Sequence, residues 1–323
     1  MEVINLTIEG PVGISEYFSQ GLKKHIYLIA DTHVRKMKCP DPNARPIHLT
    51  DFLTMTFKDN LDKTIDFFLE RTYLSQASTL PRDIENSKES YLKDAKEMFD
   101  RTTFENVRLH EVDVRRGSRF SRMLDTLENG LARMFIRMID VVNEENILRI
   151  RNLGHDIMNY LANHDILSIM REHKILKQFE NISDPGLRTI VTNYWLKRGR
   201  TLYKILTLNV RYSQELSYDS HQKDQSSTFR LLDMLFEFGL FLMDAYAIGR
   251  MFRSFRDAED PKYIMVYAGA AHTKSYEKFF KYLGLQLVGK NVSDLEGEDF
   301  QCLRLGLRLP FFHHAPDEVG GDY

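Results

Sequence analysis

Short runs of branched and aromatic residues crowd toward the two ends of this chain, and a long stretch of helical periodicity separates them. The early runs are Val3 to Ile8, Ile26 to Ile29 and Ile65 to Leu69, each followed by polar residues, as core strands are. Val107 to Val114 alternates apolar and polar residues, with a phase shift between Leu109 and Val112. The late runs are Tyr263 to Ala268, Leu285 to Val288 and Phe300 to Leu307. From about Ser118 to Phe255 no convincing strand occurs; Met123, Leu127, Leu131 and Phe135 share one helical face, and Ile147 to Leu161 continues it. If both groups of strands build one sheet, the chain must leave that sheet and return to it.

The strands alternate with helical segments, Thr50-Asp51-Phe52 and Ser87 to Asp100 among the early ones and Ser275 to Tyr282 after the late His272. The expected fold class is therefore α/β: a central mixed or mostly parallel sheet flanked by helices, with a large all-helical insertion between the N-terminal and C-terminal strands. Residues 1–117 and 259–314 supply the two parts of the core, 118–258 the insertion packed on it, and 315–323 a flexible tail. Within the insertion, Asp184-Pro185-Gly186 marks a break, and Ser217 to Ser227, with His221 and Gln222, reads as an exposed loop between long helices. A chain of 323 residues, 43% hydrophobic, buries enough surface to fold without metals or disulfides.

The 44 Lys and Arg nearly balance the 46 Asp and Glu, so no net basic field draws the chain to nucleic acid or anionic membranes. Arg115, Arg116, Arg119 and Arg122 form the nearest thing to a basic patch, which a solvated face or a local phosphate contact explains equally well. MEVINLTIEG lacks the basic start and apolar core of a signal peptide. The apolar window from Leu231 to Phe252 contains Asp233, Glu237, Asp244 and Arg250, which reads as a buried helix and not a membrane span. Cys39 and Cys302, the two cysteines, are expected to be free thiols, as in a reducing compartment. The expected location is cytoplasmic, the cytoplasm of a host cell or a virion if the protein is viral.

Open α/β sheets place their ligand sites at the carboxyl ends of strands. There, IYLIADTHVRK puts Asp31 and His33 two residues apart, on one side of an extended backbone. IDFFLER ends on Glu70, and the fourth strand ends on Asp113 and Arg115. YIMVYAGAAH ends on His272 after Gly269, Ala270 and Ala271, small residues that admit a close ligand and open a helix whose amides can bind an anion. LFLMDAYAIGRMFRSF sets Asp244, Tyr246 and Arg250 on a buried helix, with Tyr246 and Arg250 on one face. Each residue also has a structural reading. A lone strand-end histidine is more often structural, Glu70 and Asp113 can cap helices or pair with arginines, and Arg250 can pair with a carboxylate instead of a substrate.

LIADTHV and VYAGAAH resemble the paired Gly-x-x-His signatures of the Tiki/TraB/erythromycin-esterase-like (ChaN-like) superfamily, the second complete, the first with Ala30 in place of glycine and Asp31 added. The resemblance touches about a third of the chain and leaves the helical middle unmatched. It implies that Glu70 takes the place of the strand-borne glutamate between the signatures, and Arg250 that of the arginine on the helix before the second. Members include a metal-dependent protease, esterases that open macrolide rings, haem-uptake proteins and a bacterial toxin module, so the fold alone assigns no reaction. The chain also looks like uncharacterised proteins of large DNA viruses, chiefly in MDAYAIGRMF and YAGAAH.

These residues lead to the expectation of a protease- or esterase-type hydrolase acting on a peptide, ester or small molecule. His33 and His272 either ligate a divalent metal, zinc, manganese, cobalt or iron, or activate water without one. Glu70 or Asp31 serves as oxygen ligand or general base, Arg250 stabilises the oxyanion, and Asp113, Gly269, Tyr246 and Asp244 stand near. HExxH, P-loop, GxSxG and dinucleotide-binding glycine patterns are absent from the sequence. The alternative is a noncatalytic interaction protein, an assembly partner in a virion or a homo-oligomer, and the third reading is haem or small-ligand binding.

Overall fold

The computed structural model describes residues 6–32, 39, 45–70, 90–113, 152, 156–157, 159–216, 224–293, 301–305 and 311–312, with the backbone alone for 209–216 and 224–233. The chain forms two compact units, one built from Met1–Asp113 with Asp257–Tyr323 and the other from Val114–Arg256.

The first unit is the α/β one. Its main sheet has six strands: β2 (Gly13–Ser19), β3 (Lys24–Asp31), β5 (Ile65–Leu69), β6 (Val107–Glu111), β7 (Tyr263–Gly269) and β8 (Gln286–Val292), in the spatial order β6-β5-β7-β3-β2-β8. Neighbours from β6 to β3 pair in parallel, while β2 runs antiparallel to both β3 and β8. The late strand β7 lies between the early strands β3 and β5. A smaller sheet holds β1 (Leu6–Glu9) between β4 (Ile47–His48) and β9 (Cys302–Leu305).

β3 and β7 read as unbroken apolar runs because both faces of the sheet are covered. On one face, Tyr27, Ile29, Phe67, Leu69, Met265 and Tyr267 share a core with Leu49, Phe52 and Phe57 of α1 (Leu49–Lys58), Tyr91, Leu92 and Ala95 of α2 (Tyr91–Arg101), and Ile8 and Leu303 of the small sheet. The opposite face meets α7 (Ala270–Leu283), where the ring of Phe280 lies edge-on to Tyr17 at 5.2 Å and Ser15 donates to Glu277 at 2.6 Å.

Several strands differ from the sequence reading. The first apolar run joins the small sheet and not the main one, because β9 pairs with it. β2 is an unforeseen strand; it carries Ser15 and Glu16 at buried positions, and these polar side chains disguise it. Glu16 is tolerated there because it accepts from the hydroxyl of Tyr27 at 2.8 Å and pairs with His25 Nε2 at 2.6 Å. β6 ends at Glu111, where the alternation had already shifted phase, and β8 continues to Val292.

Cys39 and Cys302 are not free thiols. They form a disulfide, with Cα atoms 5.3 Å apart across 263 positions of sequence. The antiparallel β1–β9 register sets Cys302 opposite Glu9, and the Glu9 carboxylate accepts the Cys39 N–H at 3.2 Å, so strand pairing brings the two sulfurs together.

The second unit is helical over its described residues: α3 (Ile166–Glu172), α4 (Ile175–Glu180), α5 (Pro185–Leu216) and α6 (Asp224–Phe252). The Asp-Pro-Gly break is the start of α5, where Asp184 Oδ1 accepts the Leu187 N–H at 2.6 Å and Pro185 occupies the first helical position. α6 begins at Asp224, so the last residues of the expected loop are helical; 217–223, with His221 and Gln222, lie outside the described residues. Gly249 lets α6 lie on α4, since a Cβ there would stand 2.8 Å from Gln178 Cβ and Phe179 Cδ1. Among the described residues no helix is long and apolar enough to cross a membrane.

Candidate functional site

The crossover from β3 through α1 leads to β5, and β5 continues through α2 to β6, so the chain works outward from the centre over one face. β7 continues through α7, on the opposite face, to β8 at the other edge. Adjacent strands β5 and β7 therefore send their chains in opposite directions at their carboxyl ends, the kind of switch point at which open α/β sheets bind ligands. Glu70 follows β5 and His272 stands in the first turn of α7, so the two flank this switch point.

Glu70 is fixed by backbone and side chain. Its N–H continues the ladder to the Tyr267 carbonyl at 3.1 Å. Its Oε2 accepts the Gly269 N–H at 2.6 Å, and its Oε1 lies 3.3 Å from His272 Nε2, both side chains buried. Gly269 is the N-cap residue of α7 and has no side chain to close that end; the neighbouring strand supplies the anion instead. One Glu70 oxygen thus caps the start of α7, and the other faces His272. The sequence reading started the helix near Ser275; it starts at Ala270, which makes His272 a helical residue and sets its ring 6.4 Å from Tyr276, one turn on.

Asp31 stands opposite Gly269 in the β3–β7 register, on the sheet face away from α7. Gln301, just before β9, donates from Nε2 to Asp31 Oδ1 at 2.8 Å and to Thr32 Oγ1 at 3.2 Å. Burial, then the charge of Asp31, holds the Tyr267 phenol well above its ordinary value. Burial followed by the charges of Glu9, Asp94 and Asp31 does the same at Tyr91. These tyrosines are neutral neighbours of a carboxylate, not bases. Gln301, Tyr267 and Tyr91 were missed by sequence reasoning; Tyr267 sits within the VYAGAAH motif, but only β9 and α2 bring the other two to this edge.

The other expected residues are distributed as follows. His33 lies outside the described residues. Asp113 is half-buried beyond the end of β6, one strand farther from β7 than Glu70. Asp244, Tyr246 and Arg250 belong to α6 of the helical unit, with Asp244 buried. Arg250 and Tyr246 both act on Arg253, whose pKa is lowered by burial first and by the charge of Arg250 second. Arg253 itself donates to Gln178 Oε1 at 2.9 Å. Arg115, Arg116, Arg119 and Arg122 lie outside the described residues. Among the described residues no three His, Cys, Asp or Glu side chains gather as metal ligands would. His272 and Glu70 offer two donors, and one Glu70 oxygen is already taken by a backbone N–H, so these residues do not by themselves fit a metal.

The chain is 25% identical over 201 residues to an uncharacterised protein of Acanthamoeba polyphaga mimivirus, a match that spans 55% of this chain and 43% of that protein. The chain thus spans less than half the length of the curated relative it matches. No family model matches it. No solved structure matches it either.

Proposed function

We propose that the chain is a hydrolase of protease or esterase type in which His272, oriented by Glu70, is the general base. The observation that carries this reading is the buried Glu70–His272 pair at the switch point between β5 and β7. A carboxylate on Nε2 fixes the ring and stabilises the imidazolium, which assigns proton transfer to Nδ1. The first amides of α7 provide donors for a substrate carbonyl. The likeness to the Tiki/TraB/erythromycin-esterase-like signatures supports the same pair, and it adds His33 as a second imidazole. A divalent metal would need ligands beyond His272 and Glu70, and no step is routed through one.

The test is turnover of a panel of activated esters and fluorogenic peptides by the full chain and by His272→Ala, His33→Ala and Glu70→Gln. Loss of a positioned base costs about 100- to 10,000-fold. Unchanged turnover in His272→Ala sinks the reading, and so does a wild-type chain inert on both panels.

A second reading, a noncatalytic assembly protein of viral type, is favoured by the mimivirus relative and by the cap that Glu70 places on α7. It expects Glu70→Gln to lower stability with no turnover to lose.

A further inference from the structure

We infer that Thr50, His48 and Asp94 form a second acyl-transfer centre, with Thr50 Oγ1 as nucleophile, His48 as its general base and Asp94 as the residue that positions the ring. His48 Nδ1 lies 2.8 Å from Thr50 Oγ1, and His48 Nε2 lies 3.1 Å from Asp94 Oδ2. Hydroxyl, imidazole and carboxylate thus stand in the order that activates a hydroxyl nucleophile, each within reach of the next. The tautomer is set by the backbone. The Thr50 N–H donates to Nδ1 at 3.3 Å, so Nδ1 carries the lone pair and Nε2 the hydrogen that faces Asp94. A substrate can approach, because the His48 side chain is 32% exposed and Thr50 is only half-buried.

Three elements of the first unit build this arrangement. Pairing of β4 with β1 sets His48 opposite Glu9, where the chain turns into α1; His48 is the N-cap of that helix, and Thr50 stands in its first turn. α2 supplies Asp94 because it packs along α1, with the rings of Phe57 and Phe99 5.8 Å apart and Thr54 Oγ1 3.5 Å from Met98 Sδ. The Tyr91 ring, 5.3 Å from that of His48, borders it. A cap needs only Nδ1, so the carboxylate on Nε2 is the contact that capping does not call for. In the reaction, Thr50 Oγ1 attacks the carbonyl carbon of an activated ester, Nδ1 takes the hydroxyl proton, and the imidazolium passes it to the departing oxygen. An acyl-threonine ester and an alcohol result. Water then attacks that ester and loses a proton to Nδ1, which returns it to the Thr50 oxygen as the acid leaves. Neither Glu70 nor His272 takes part, so this centre stands or falls apart from the hydrolase reading of that pair.

Acetylation of the full chain by p-nitrophenyl acetate, quenched and mapped by peptide mass spectrometry, tests the centre. Thr50 should carry the acetyl group in wild type and equally in His272→Ala; Thr50→Ser should keep it and Thr50→Val lose it. His48→Asn separates the two roles of the histidine, since asparagine still caps α1 but cannot take the proton. Its rate of Thr50 acetylation should fall about 100-fold or more. Asp94→Asn should slow the reaction, and Asp94→Glu should restore it. Acetyl groups found on lysines but not on Thr50 overturn the proposal, whatever the variants do. An unchanged rate in His48→Asn overturns it too, and loss of the Thr50 adduct in His272→Ala overturns it by making His272 the base.

Discussion

Replacing Glu70 is the sharpest probe of the site, because its two oxygens do different things. In Glu70→Gln the amide oxygen can still accept the Gly269 N–H, so the α7 cap survives. The amide NH2 then faces His272 Nε2, and a charged, buried interaction at 3.3 Å is gone. A hydrogen bond to a charged group contributes about 1.5–3 kcal/mol, which sets the expected destabilisation of this variant. Glu70→Ala also strips the cap and removes the carboxylate that faces His272, and breaking a buried pair by removing one partner costs about 3–5 kcal/mol. The pairwise share is isolated by the cycle Glu70→Gln, His272→Ala and the double variant in urea unfolding. Far-UV circular dichroism should register the loss. The single tryptophan, Trp195, lies in the helical unit, so its fluorescence follows that unit and separates the two responses. A coupling energy below about 0.5 kcal/mol would falsify the claim that Glu70 orients His272.

Lys24 predicts an alkaline rise in stability. Burial lowers its pKa to about 8, against the opposing charges of Asp260 and Asp66, so the folded state binds its proton less tightly than the unfolded chain does. Between that value and about 10.5 the unfolded state carries more protons, and stability increases with pH by about 2 kcal/mol from pH 7 to 9.5. Urea unfolding at the two pH values should show the rise in wild type and not in Lys24→Met. Above about pH 10 the trend reverses, because Tyr17 is pushed up to about 12 by burial and then by Glu277, and the unfolded chain ionises its tyrosines first. In the helical unit, Gly249→Ala forces a Cβ to 2.8 Å from Gln178 and Phe179, so Trp195 fluorescence should report a loss of about 1–3 kcal/mol. An unchanged midpoint would mean that α4 and α6 do not pack through this glycine. Haem titration should leave the visible spectrum that of free haem, and a shifted Soret band would revive the haem reading.

The sequence by itself determined the class of fold. Unbroken apolar runs at Ile26–Ile29 and Tyr263–Ala268, and the run Ile65–Leu69 interrupted by Asp66, read as strands buried on both faces, and helical periodicity between the early and late groups reads as a separate helical region. It also located Glu70 and His272, since each stands where an apolar run gives way to polar or small residues. Tertiary structure decided what these residues touch. Pairing of β7 between β3 and β5 set Glu70 against the N-terminus of α7, and pairing of β9 with β1 brought Gln301 to Asp31 and Cys302 to Cys39. Periodicity reports which side of an element is buried, because burial is a property of each residue. The partner across a sheet depends on strand order, and strand order is chosen by the packing of the whole core.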